Sequence, residues 1–208
     1  MVMDRRKFIK VGANSITIFS IGLSVPASAL LTCTPFNHQN IKKCAAGIDS
    51  RLAHVSAASV GGQHMNQWCW AACIEMVFRY YGLRVPQEAI VQQTWGGIVN
   101  LPGQPHQILA NLNRQWRDSN GHLFNVSGNS SSANQITASQ DLSNNMPLII
   151  GTMGHAMVLT SLEYVLDRHG NGNVTAAVVR DPWPGRGRRV LSAQEWSNTS
   201  FLARIRVQ

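Results

Sequence analysis

The chain has 208 residues, enough for one domain of ordinary size. At 44% hydrophobic and 13% charged it has the means to build a core, which excludes a wholly disordered chain. The formal charge is +8, of which the first 29 residues hold +3 (four basic, one acidic); the remaining +5 is modest and forms no stripe, which argues against nucleic acid as a partner.

The first 29 residues read as a targeting segment. Arg5, Arg6, Lys7 and Lys10 form a basic head, residues 11–25 a moderately apolar run, and Ala27-Ser28-Ala29 a small-residue cleavage site. The run is too short and too polar for a membrane span. Asp4-Arg5-Arg6-Lys7-Phe8-Ile9-Lys10 resembles a twin-arginine export signal, which implies a periplasmic or extracellular location and membrane contact only during export.

Residues 30–62 are mixed and rich in Ala, Ser, Gly and His. They read as an extended N-terminal lead-in that ends at Gly61-Gly62. Two of the four cysteines lie here. An oxidising compartment permits Cys33–Cys44 as a small clamp, and Cys73 is an alternative partner for either one.

Residues 63–82 are the stretch around which the rest is organised. Most of it reads as a helix that starts close to Cys69 and ends at Gly82, where a left-handed residue stops it. Apolar residues run almost all round this helix, which implies burial. A buried core thiol is the ordinary reading of a cysteine in such a helix. At the first turn, however, unpaired N–H groups and the positive dipole end favour a thiolate, and an N–H can face an oxyanion. Trp68 and Trp70 flank the thiol, and the Gln63 amide lies close enough in sequence to donate to the same oxyanion. Cys73 is one turn deeper, where the dipole effect has faded, so Cys69 is the candidate nucleophile. His64, Cys69 and Cys73 lack metal-site spacing, and no metal or other cofactor is expected.

Further along, Pro86 starts a second helix to about Thr94, closed by Gly96-Gly97. A third helix is expected over 105–116, with Ile108, Leu109, Leu112 and Trp116 at helical spacing. Residues 117–135 are loop-rich around a short strand at 123–126, and 136–145 form a short helix. Strands follow at 147–152, 155–166 and 174–180, the last two joined by a polar turn over 167–173. Val190-Leu191, Trp196 and 201–207 supply further strand material. Helices first and strands afterwards define an α+β chain with a cleft between its halves. Arg186, Arg188 and Arg189 read as a solvated turn.

A nucleophilic thiol needs a base, and the base needs a third group to hold it. Of seven histidines, only His155 lies in an apolar strand, with Gly154 before it allowing close approach. Asp181 closes the next strand, in Arg180-Asp181-Pro182-Trp183. An antiparallel hairpin brings His155 and Asp181 to one sheet end, where Trp183 covers their bond.

Gln63, Trp68-Cys69-Trp70-Ala71-Ala72, Gly154-His155-Ala156-Met157 and Asp181-Pro182 resemble the active-site segments of papain-like cysteine peptidases. The likeness is greatest to compact bacterial branches of the staphopain and plant-pathogen-effector type. The resemblance covers roughly 63–196. It implies a papain-like fold, an N-terminal helical half packed against a C-terminal antiparallel β half, over a domain at 63–208. It also implies a Cys69–His155–Asp181 triad, an oxyanion site made by Gln63, and a protein or peptide substrate met by a monomer. Leader-peptide processing of the bacteriocin-peptidase type is one variant of that chemistry. The competing reading is a non-catalytic exported papain-like domain that binds peptides or cell-wall stems.

Overall fold

The structure is a computed structural model that describes residues 30–208; the export signal expected over 1–29 lies outside them. Nine antiparallel strands form one sheet. In chain order the elements are β1 (Leu30–Cys33), β2 (Ile41–Gly47), α1 (Ser50–Val60), α2 (Cys69–Tyr80), α3 (Gln87–Trp95), α4 (Pro105–Asn111), β3 (Arg114–Arg117) and β4 (Leu123–Ser131). Then come α5 (Gln135–Ser143), β5 (Leu148–Thr152), β6 (His155–Asp167), β7 (Gly172–Asp181), β8 (Gly187–Val190), α6 (Ala193–Ser197) and β9 (Thr199–Val207). The papain-like α+β arrangement holds, with the helices α1–α4 concentrated in the N-terminal half and most of the sheet in the C-terminal half. Among the described residues no helix is long and apolar enough to cross a membrane.

The strand β6 is the axis of the sheet. It pairs with β2 and β5 along one edge and with β7 along the other. Its side chains alternate between two cores. Ala156 and Val158 join Ile149 and the α2 residues Trp70, Ile74 and Phe78, whereas Met157 and Leu159 join Leu148, Ile150 and Leu142 of α5. With both faces covered, the strands need apolar residues at every position, which explains the unbroken Leu148-Ile149-Ile150 run.

The β6–β7 hairpin carries two bulges of opposite sense. Pairing runs Leu159↔Val179 then Ser161↔Val178, and Glu163↔Ala176 then Tyr164↔Val174. Thr160 is therefore extra on β6 and Thr175 extra on β7. The Thr160 carbonyl accepts from the Ile48 N–H at 3.0 Å, and its hydroxyl donates to the Val178 carbonyl at 3.1 Å.

From Trp70 to Phe78 every residue of α2 is buried. Phe78 meets Trp116 and Phe124 edge to face at 5.8 and 5.3 Å. Gly82, at φ 81°, ends α2 in a Schellman turn: its N–H bonds to Arg79 O and the Leu83 N–H to Phe78 O.

Four expectations need correction. Residues 30–62 are not an extended lead-in, because β1 and β2 extend the sheet beside β6, and α1 is capped by Asp49, whose side chain accepts from Arg51 and Leu52 N–H. The third helix stops at Asn111, and Trp116 lies in β3. Asn113 makes the break by exchanging hydrogen bonds with the backbone of Gly128. Trp196 belongs to α6, opened by a Ser192–Glu195 capping box, and the strand at 123–126 runs on to Ser131.

Candidate active site

Cys69 is the first residue of α2, and the helix has no side-chain cap at its N-cap, Trp68. Its first-turn N–H groups are thus left to face whatever occupies the cleft. The flanking indoles anchor the far wall. Trp68 Nε1 donates to Val99 O at 2.8 Å, and Trp70 Nε1 to Leu101 O at 3.2 Å. Gly103 lies flat on Trp70, where a Cβ would come within 2.4 Å of the indole. A cleft of about 680 Å³ opens between this wall and the β5–β6 turn, and both Cys69 and His155 line it. That volume suits an extended segment of a few residues.

His155 begins β6, just after the Met153-Gly154 turn, with both turn residues at positive φ. Its Nε2 lies 2.7 Å from Asp181 Oδ1. A carboxylate only accepts, so Nε2 carries the proton and Nδ1 is left for the thiol. Burial alone would lower the His155 pKa. The Asp181 hydrogen bond and then the contact with Cys69 override it and raise the value to about 9.

Asp181 ends β7 with its side chain fully buried. Oδ1 accepts from His155 and from the Trp183 N–H at 2.9 Å, and Oδ2 accepts from Arg189 Nε at 2.8 Å. Burial opposes ionisation, but these bonds prevail and hold its pKa down to about 2. The Trp183 ring stands edge-on to His155 at 6.4 Å and stays half-exposed. It flanks the pair and leaves the ring accessible.

Gln63 is buried, and its Nε2 donates to Met65 O at 2.9 Å. The other amide atom, Oε1, is buried without a partner. Nε2 has a second hydrogen to offer. Among the described residues no hydrogen bond joins this side chain to Cys69 or His155.

Cys33 and Cys44 form a disulfide, and Cys73 is a free, fully buried thiol whose pKa is pushed up by burial and then by Cys69. The described residues contain no group of three or more His, Cys, Asp or Glu that could hold a metal.

Arg189 escaped the reading of residues 186–189 as a solvated turn. Only 23% of its side chain is exposed, and it bridges Asp181 and Glu195. Its two partners lie eight and six residues away, so local sequence gives no hint of the bridge. The signal that could have found Glu195 is the Ser192-x-x-Glu195 spacing of a capping box. Gln87 was missed for the same reason: fully buried, it bonds the backbone on both sides of Gln63.

A thiol at a helix N-terminus, an imidazole on the facing strand and a buried carboxylate behind it are an arrangement that fits a cysteine peptidase. A family model for the Peptidase_C39-like family matches residues 55–204, most of the chain. The chain belongs to that family. No curated protein and no solved structure matches it.

Proposed function

We propose that the protein is an exported peptidase that hydrolyses peptide bonds with Cys69 as nucleophile, His155 as its acid–base partner and Asp181 as the orienting carboxylate. The observation that carries this reading is the 2.7 Å bond between His155 and buried Asp181, made by a ring that shares the cleft with Cys69. The Cys69 thiolate attacks the substrate carbonyl carbon, and the negative charge moves to the carbonyl oxygen. The Cys69 N–H and the second hydrogen of Gln63 Nε2 stabilise that oxyanion. Imidazolium His155 passes its proton to the departing amine, leaving a thioester. His155 then takes a proton from water, whose oxygen attacks the thioester and regenerates the thiolate.

The Cys33–Cys44 disulfide supports export, since such bonds persist in oxidising compartments. The likeness to staphopain-type enzymes rests on the segment from Gln63 to Ala72 and on His155 and Asp181.

Incubating the purified protein with a peptide library and reading the cut sites by mass spectrometry tests the proposal. Cleavage that disappears in Cys69→Ala, with labelling of Cys69 by an epoxysuccinyl peptide, is expected. Undiminished cleavage by Cys69→Ala would overturn it. A protein that binds peptides yet neither cuts them nor takes the label under reducing conditions would be the binding domain instead.

A further inference from the structure

Arg189 lies between two carboxylates. Its Nε donates to Asp181 Oδ2 at 2.8 Å, while Nη1 and Nη2 donate to Glu195 Oε2 and Oε1 at 3.1 and 2.7 Å. Nη2 also lies 3.1 Å from Met157 Sδ. Glu195 is itself fixed, because its Oε2 accepts from the Ser192 N–H at 2.8 Å and its own N–H donates to Ser192 Oγ at 3.1 Å. The guanidinium is planar, with donors in a rigid fork, so a partner on each edge fixes its orientation.

We propose that Arg189, clamped by Glu195, is a positioning residue that locks the Asp181 carboxylate against His155 and sets how strongly that carboxylate holds the imidazolium. The proposal rests on the reading of Cys69, His155 and Asp181 as the reacting groups. Two effects follow from the geometry. With Oδ2 tied to Arg189 and Oδ1 tied to His155 and Trp183 N–H, the carboxylate has no free rotation left. The charges also matter. An Asp–Arg pair alone is neutral and would hold a cation weakly, and Glu195 restores one negative charge to the group.

The charged and titratable groups around Asp181 come from every neighbouring element. They are Cys69 and Cys73 on α2, His155 on β6, Arg186 on the loop, Arg189 on β8 and, through Arg189, Glu195 on α6. Arg186 is 3.8 Å from Oδ2 but mostly exposed, so solvent screens it. Arg189 is the cation whose removal should be felt.

The test is the titration of the His155 imidazole by NMR, alongside kcat and KM for the wild type, Arg189→Gln, Arg189→Lys and Glu195→Gln. Glutamine at 195 keeps the helix cap through its amide oxygen, and it loses the charge together with the acceptor for Arg189 Nη2. Arg189→Gln should move the His155 midpoint up by about one pH unit, and Glu195→Gln should move it down by a similar amount. In Arg189→Gln kcat should fall about 10- to 100-fold, with KM within about twofold. Arg189→Lys should keep the midpoint but recover only part of kcat, because an ammonium does not span both carboxylates.

A purely structural role would lower thermal stability without opposite shifts. Midpoints that stay put, or that move in the same direction, overturn the proposal. If Arg189→Gln does not fold, Glu195→Gln and Arg189→Lys carry the same test. Unmoved midpoints with cleavage that depends on Cys69 would retain the peptidase reading and reject the role of Arg189. Opposite shifts in a protein that cuts nothing would do the reverse.

Discussion

The backbone N–H of Gln63 donates to the carbonyl of Pro182 at 2.8 Å. One bond thus joins the loop that leads into the Cys69 helix to the residue after Asp181. Gly62 makes the approach possible. It sits at φ +112°, and a Cβ there would lie 2.9 Å from the same carbonyl.

Gly62→Ala should therefore be costly twice, through backbone strain and through the collision. We expect a loss of about 1–3 kcal/mol in unfolding free energy and a lower kcat/KM. Denaturant melts and turnover measured side by side check this. A variant with wild-type values in both would show that the contact yields freely.

The two glutamines near this bond should differ in kind. Gln63→Ala removes a proposed oxyanion donor and should lower kcat by about 10²–10³. Gln87 touches no substrate in this scheme. Its Oε1 accepts from the His64 N–H at 3.0 Å, and its Nε2 donates to Gly62 O at 2.9 Å. Gln87→Ala should cost about 1–3 kcal/mol of stability, from two unpaired backbone groups, with a smaller loss of activity than Gln63→Ala. Equal stability of the two proteins would refute the clamp.

Asp181→Asn removes the charge that favours imidazolium. The His155 pKa should fall from about 9, and the alkaline limb of the kcat/KM profile should move to lower pH. We expect kcat itself to drop by about 10²–10⁴. The same pair predicts stability. His155 is raised from 6.5 to about 9, so its contribution is full below pH 6.5 and lost as pH rises through 9. Asp181 is lowered from 3.8 to about 2, so its contribution is full above pH 3.8 and lost as pH falls through 2. Denaturation curves of the wild-type protein without substrate across pH 2–10 read both edges, with Cys69 kept in place because its contact helps to raise His155. A flat profile through pH 6.5–9 would contradict the His155 assignment.

Much of the proposed site was legible because its parts are local patterns. Cys69 opens a helix whose apolar residues declare burial, Gly82 marks its end, and His155 is the one histidine in an apolar strand. What escaped depends on distance. Arg189 shows a charge in sequence but not its partners on β7 and α6, and Gln87 looks like any polar residue of a helix start. Residues 30–62 misled for another reason. Ala, Ser and Gly fit strand, helix or loop alike until β6 supplies an edge to pair with. Trp116 kept helical spacing from Leu112, yet the Asn113–Gly128 bonds had already turned the chain.

The disulfide should be remote from the proposed chemistry. Cys33 lies on β1, which is exposed along its length and pairs with β2 alone. Reducing it, or Cys33→Ser with Cys44→Ser, should lower stability by about 2–4 kcal/mol while leaving kcat unchanged. Thermal melts with and without reductant, paired with peptide turnover, decide it. A loss of activity at a temperature where the protein stays folded would tie β1 to the cleft.

Thr160 and Thr175 act as a matched pair of spacers. Because one extra residue on β6 is answered by one on β7, the count from the hairpin tip to His155 and to Asp181 comes out even again. Deleting Thr160 alone would set Leu159↔Val179 and Ser161↔Val178 side by side as regular pairs, so His155 and Asp181 would keep their faces and the ribbon would lose only the bend and added twist of that bulge.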